Sequence, residues 1–201
     1  MEQYQLSNGV NIPKIGFGTW QIPEGEEVYK SVTHALKVGY RHVDTAQIYR
    51  NEVGVGQAIA DSDLAREDIF LTTKIWNDKH DYDLAKASIE ESLEKLGVDY
   101  VDLLLIHWPN PKAQREQDAW KAGNAATWKA MEEAYRAGKV RAIGVSNFMI
   151  HHLEALLETA DIKPHVNQVL LAPGCPQENL VAFCRQYDIL LEAYSPLGTG
   201  S

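Results

Sequence analysis

The sequence has only two cysteines, Cys175 and Cys184, and they lack metal-ligand or redox spacing. That argues against a disulfide framework and a thiolate metal centre; both read as reduced bystanders. No apolar run approaches the roughly 18 residues that a membrane helix needs. Basic residues are in the minority, 19 Lys and Arg against 28 Asp and Glu, for a net charge of −9. Such a balance disfavours nucleic acid or an anionic membrane as partner. The N-terminal stretch Met1-Glu2-Gln3-Tyr4-Gln5-Leu6 has no basic region followed by an apolar core, so the expectation is no signal peptide and a cytoplasmic protein. A Gly-rich phosphate fingerprint is missing too. Gly16-Phe17-Gly18-Thr19-Trp20 lacks the third glycine, and the next helical stretch starts too far on.

What is present is ordinary globular material: 201 residues, 45% hydrophobic and 23% charged. That is enough for one well-cored domain spanning residues 1–201. Asn8-Gly9, flanked by Leu6 and Val10, marks a small antiparallel hairpin cap. After it, strand and helix alternate. Strands are expected at 15–20, 41–45, 69–75, 101–107, 140–145, 165–170 and 189–194. Helices are expected at 26–38, 52–60, 84–96, 125–137, 152–158 and 180–187, several of them closed by glycine. Residues 109–123 read as a polar, Pro-containing loop. Alternation of this kind implies a parallel sheet. The nearly continuous apolar run at 101–107 suits a strand buried on both faces. A (β/α)8 TIM barrel fits better than a doubly wound sheet, because polar residues mark the ends of strand after strand. Only about seven strands are counted, where a full barrel typically needs about 250 residues.

Four of those strand-end residues carry chemistry. Asp44 ends the second strand, Tyr49 follows in its loop, Lys74 ends the third and His107 the fourth. A phenol, with an ordinary pKa of about 10, is a poor acid near neutrality. A neighbouring ammonium is expected to lower that value, an aspartate to keep the ammonium charged, and an imidazole to orient a carbonyl oxygen. Tyr49 then serves as general acid. Taken singly each residue has a plainer role: a helix cap, a solvated strand end, a loop contact or a surface aromatic. Their convergence on one rim is what carries the reading.

Three segments resemble the aldo-keto reductase family, and most closely its compact bacterial members similar to 2,5-diketo-gluconate reductases. They are Gly39-Tyr40-Arg41-His42-Val43-Asp44-Thr45-Ala46-Gln47-Ile48-Tyr49-Arg50-Asn51-Glu52, Leu96-Gly97-Val98-Asp99-Tyr100-Val101-Asp102-Leu103-Leu104-Leu105-Ile106-His107-Trp108-Pro109, and Gly138-Lys139-Val140-Arg141-Ala142-Ile143-Gly144-Val145-Ser146-Asn147-Phe148. The resemblance implies a (β/α)8 barrel, NADPH (NADP) as cofactor, and Asp44, Tyr49, Lys74 and His107 as a catalytic tetrad. It also implies that Ser146, Asn147 and Gln168 hold the nicotinamide carboxamide and that Tyr194 stacks on its ring. Ser195 and Leu197 would contact the pyrophosphate, and Trp20, Trp76 and Trp108 would flank the substrate. No metal is implied. The partner would be a small-molecule carbonyl compound, and a complete barrel would be a monomer. A truncated chain could self-associate.

The sequence departs from the family pattern in two places. Leu170 and Ala172 stand where the family has a glutamate and a histidine, the glutamate near the adenine end of the cofactor. The family's eighth strand, last helices, final loop and basic 2′-phosphate segment have no counterpart before Ser201, so the chain reads as C-terminally truncated. Two other functions compete with carbonyl reduction. Lys74 could act as a Schiff-base nucleophile in a lyase, or the barrel could serve as a cofactor-sensing or scaffold protein.

Overall fold

The computed structural model describes residues 1–196. Two short strands, β1 (Gln3–Gln5) and β2 (Asn11–Pro13), pair antiparallel around the Asn8-Gly9 turn. Gly9 has φ +84, a conformation that glycine adopts without a Cβ clash. A parallel sheet follows, with strands β3 (Phe17–Gly18), β4 (His42–Asp44), β5 (Phe70–Ile75), β6 (Val101–Ile106), β7 (Val140–Ser146), β8 (Val166–Leu170) and β9 (Leu190–Tyr194) in chain order. The intervening helices are α1 (Glu26–Lys37), α2 (Glu52–Ala60), α3 (Tyr82–Leu96), α4 (Trp120–Arg136), α5 (Ile150–Leu157) and α6 (Glu178–Gln186).

Contacts across the sheet demonstrate its curl. β4 and β8 are four strand spacings apart in the order, about 19 Å if the sheet were flat. Yet Gln168 Nε2 on β8 lies 2.8 Å from Asp44 Oδ2 on β4. His42 and Glu192, one strand further apart still, approach to 3.8 Å. The sheet is therefore rolled as in a (β/α)8 barrel, with seven strands among the described residues. β3 and β9 form its two edges there.

Period-two alternation sorts the side chains. Val43, Leu71, Leu104, Ile106, Ile143, Val145 and Val169 face outward. They join one core with Val28, Val32 and Leu36 of α1, Ile89 and Leu96 of α3, and Trp128 and Met131 of α4. Phe70, Leu103, Leu105, Ala142 and Val166 face inward and pack with Leu6 and Ile12 of the hairpin, which plugs the lower end. The inward positions nearer the C-terminal ends are polar: Asp44, Lys74, Ser146, Gln168, Glu192 and Tyr194.

Several boundaries differ from those expected. The strand expected at 15–20 pairs only at Phe17 and Gly18. α3 begins two residues earlier than expected because Asp81 Oδ1 accepts from the backbone N–H of Asp83 (2.9 Å) and Leu84 (3.2 Å). Residues 109–123 are not simply a loop. They contain short 3-10 turns at Lys112–Gln114 and Glu116–Asp118, and α4 already starts at Trp120. Trp120 is buried, so its packing carries the helix back past the polar residues that suggested a loop.

Candidate active site

Local bonding fixes the loops before any chemistry is asked of them. After β4 the chain makes a 3-10 turn at Gln47–Tyr49, and Arg50 takes a left-handed conformation with φ 58. Gln47 anchors that turn: Nε2 donates to Ser88 O (3.1 Å) and Ser92 Oγ (3.0 Å), and Oε1 accepts from Trp76 N (3.0 Å). Asn51, fully buried, accepts from Thr45 Oγ1 (2.8 Å) and donates to Thr19 O (2.9 Å) and Ile22 O (3.0 Å). It ties the loop after β3 to the loop after β4, and so holds Trp20 near Tyr49.

Lys74 is buried, and its ammonium donates to Asp44 Oδ1 and to Thr45 O (3.0 Å). Lys74 Nζ lies 5.1 Å from the centre of the Tyr49 ring. The Tyr49 ring meets His107 edge-on at 5.7 Å, and Trp76 meets the same imidazole at 5.1 Å. Asp44, Tyr49, Trp76, His107, Trp20 and Trp108 line one pocket of about 1010 Å³, with Lys74 behind them. Ser146, Asn147, Gln168, Tyr194 and Ser195 line it as well. Leu197 lies outside the described residues. Trp20 and Trp108 are about half exposed at the rim, whereas Trp76 is packed against His107.

Ser146, Asn147 and Tyr194 form one network with the backbone of Gln168 and His107. Ser146 Oγ donates to Gln168 O (2.8 Å), and Asn147 Nδ2 donates to His107 O (3.0 Å) and to Ser146 Oγ (3.1 Å). Tyr194 OH donates to Asn147 Oδ1 (2.9 Å). Asn147 has φ 64, a left-handed conformation that turns the chain out of β7 and into the pocket mouth.

The electrostatics correct one expectation. Burial raises the Tyr49 pKa; the Lys74 ammonium pulls it down, Asp44 pushes it back up, and the net direction is upward. Burial is the largest effect, and Asp44, paired with the ammonium, offsets part of its pull on the phenol. Burial works to lower the Lys74 pKa, but Asp44 and Tyr49 outweigh it, and the lysine is held charged above its usual range. A charged lysine is a poor nucleophile, so a Schiff-base role loses its basis. Burial, with help from Lys74, pushes His107 down to about 3, so its imidazole is neutral. Its Nδ1 is buried with no protein partner among the described residues.

Residues 14–201 match the model of the Aldo/keto reductase family. The chain belongs to that family. Glyoxal reductase of Bacillus subtilis is 48% identical over 196 residues, covering 98% of this chain and 67% of its own length. The crystal structure of an aldo/keto reductase from Brucella melitensis superposes with a TM-score of 0.92 at 46% identity, covering 98% of this chain and 73% of that one. An aldo-keto reductase of Bombyx mori, solved in complex with NADP, gives a TM-score of 0.84 at 38% identity, covering 97% of this chain and 66% of that one. This aldo/keto reductase chain thus spans about two thirds of the length of these relatives.

The sequence reading missed one residue that lines this reductase pocket, Glu192, and two that hold its loops, Asn51 and Gln47. Glu192 could have been found, because Leu190, Glu192 and Tyr194 share one face of a strand and the middle one is a carboxylate. Asn51 and Gln47 lay within a recognised segment, but nothing in their spacing announced that they staple loops.

Proposed function

We propose that this chain is an NADPH-dependent carbonyl reductase in which Tyr49 is the general acid and Asp44, Lys74 and His107 set its environment. The observation that carries the reading is the buried Asp44–Lys74 ion pair behind the Tyr49 phenol, beside a neutral imidazole in the same pocket. Substrate would enter between Trp20 and Trp108. Neutral His107 donates a hydrogen bond to the carbonyl oxygen and holds it toward the Tyr49 hydroxyl. As negative charge develops on that oxygen, Tyr49 passes it a proton, and the charged Lys74 steadies the phenolate left behind. A raised Tyr49 pKa keeps the acid fully protonated at neutral pH, and an alkoxide is basic enough to take the proton.

The donor set fits a nicotinamide nucleotide. Ser146, Asn147 and Gln168 supply hydroxyl and amide groups at one rim, and the adjoining Tyr194 ring can cover one face of a flat heterocycle. NADPH supplies the hydride when bound. Ser195 and Leu197 would approach its pyrophosphate, and the enzyme would act in the cytoplasm on small aldehydes or ketones, glyoxal-like dicarbonyls among them. The test is NADPH consumption by the purified chain with a panel of small aldehydes. Turnover that disappears in Tyr49→Phe supports the assignment. Turnover equal to that of the parent in Tyr49→Phe overturns it.

A further inference from the structure

Glu192 sits beside Gln168 in the β8–β9 register and faces the barrel interior. Gln168 Nε2 lies 2.8 Å from Asp44 Oδ2 and 3.1 Å from Glu192 Oε2. The other oxygen of Glu192 lies 3.8 Å from His42 Nε2, which itself pairs with Thr72 Oγ1 at 2.9 Å. An atom within hydrogen-bonding reach of two carboxylates must be the amide nitrogen and not the amide oxygen. We propose that Glu192 is a positioning residue for the cofactor site: it takes up the second N–H of Gln168, so that the amide offers the pocket only its acceptor, Oε1.

This rests on the reading of the chain as an NADPH-dependent reductase. Asp44 alone would leave one Gln168 N–H free, because a primary amide has two. The charge on Asp44 is also spent on Lys74. With Glu192 in place both donors are consumed. Among the described residues Oε1 receives no protein donor, and Gln168 lines the pocket. An acceptor pairs with the NH2 of a nicotinamide carboxamide and repels a carboxylate at the same position. Gln168 and Glu192 together would therefore select the amide over the acid form of the cofactor. His42, Asp44 and Glu192 bring three ligand atoms within 4.8 Å of one another. A cation does not explain that cluster, because the Lys74 ammonium already holds Asp44 and the Gln168 nitrogen lies between the two carboxylates.

The test is equilibrium binding, followed by tryptophan fluorescence, of NADP and of its analogue with a nicotinic acid carboxylate in place of the carboxamide. Parent protein should prefer NADP by roughly a hundredfold, because the acid form would leave the acceptor unpaired against a like charge. Glu192→Leu frees a Gln168 N–H for the ligand and should reduce that preference about tenfold. Glu192→Gln keeps an acceptor beside Gln168 and should restore it. In a Gln168→Ala background Glu192→Leu should change nothing further. An unchanged preference in a folded Glu192→Leu protein, or equal loss in Glu192→Gln and Glu192→Leu, overturns the role of Glu192. Failure of the parent to bind NADP overturns the reductase reading itself, and this inference with it.

Discussion

The Lys74 ammonium lies 5.1 Å from the centre of the Tyr49 ring, yet it does not bring the phenol below its ordinary pKa. Burial outweighs the ammonium, and Asp44, which has paired the charge, adds to it. In the ligand-free chain Tyr49 should therefore titrate above the usual value of about 10. The difference in phenolate absorbance between the parent and Tyr49→Phe, followed against pH, measures this directly. A phenolate assigned to Tyr49 that appears by pH 9 would show that the ion pair leaves more field than argued.

Removing the hydroxyl alone separates chemistry from binding. Tyr49→Phe keeps the ring against His107 and loses only the proton donor. Carbonyl reduction should fall by roughly 10²–10⁴, the usual worth of a positioned general acid. NADPH affinity should stay within about twofold, as the cofactor-facing side chains are untouched. Equal losses in affinity and turnover would mean that the phenol positions ligand and does not donate a proton.

Buried neutral histidines should make the fold sensitive to acid. Burial pushes His80 down to about 4 and His107 to about 3. Both nitrogens of His80 are buried without partners among the described residues. An unfolded histidine titrates near 6.5, so between that pH and the folded values the unfolded chain binds more protons. Stability is then complete above about pH 6.5 and declines as pH falls toward 4 and then 3, by about 1.4 kcal/mol for each unit and group. Urea midpoints should fall steadily across that window. His80→Leu removes one such group, and its decline should be shallower; a parallel decline would exclude His80 as a source.

Much of this was legible in the residues. The seven-strand alternation and the four rim residues emerge from apolar runs that end in a polar group, and the structure brings those groups to one pocket with Lys74 behind it. Element ends were less legible, because they depend on caps and packing. Asp81 starts α3 through its side chain, and buried Trp120 carries α4 back past the residues that read as a loop. Glu192 was hidden for a different reason. Its meaning depends on Gln168, 24 residues away on the neighbouring strand, and on Asp44 and His42, which reach this pair only once the sheet has rolled. The direction of the Tyr49 shift also needed the structure, since sequence shows that a lysine is near but not how far its charge is already spent.

Close packing inside the barrel makes Gly144 irreplaceable on steric grounds. A Cβ there would come within 2.5 Å of Val166 O and 2.8 Å of Leu105 Cδ2, one of them a backbone atom that cannot rotate away. Gly144→Ala should cost about 1–3 kcal/mol, as overpacking typically does. Because Gly144 pairs with Val166 two residues before Ser146 meets Gln168, NADPH affinity should fall as well. A stable Gly144→Ala protein with unaltered cofactor affinity would mean that β7 and β8 can part locally.

At the N-terminal ends of the strands, away from Tyr49 and His107, Asp102 supports the sheet without entering the chemistry. It is fully buried, accepts from Leu71 N at 2.9 Å, and pairs with Arg66 (2.9 Å) and Arg141 (2.8 Å). Asp102→Ala strands a buried backbone donor on β5 and leaves two guanidinium groups without their counter-ion. The arginines are partly exposed, so water can take back part of the loss, and a cost of about 2–3 kcal/mol is expected in place of the 3–5 of a fully buried pair. Asp102→Asn keeps the acceptor for Leu71 N and should lose less. The residues around Tyr49 are held by Gln47 and Asn51, not by Asp102, so kcat measured well below the new midpoint should match the parent. A drop in kcat at full folding would show that the two ends of the barrel are coupled through β5, the strand that carries both Leu71 and Lys74.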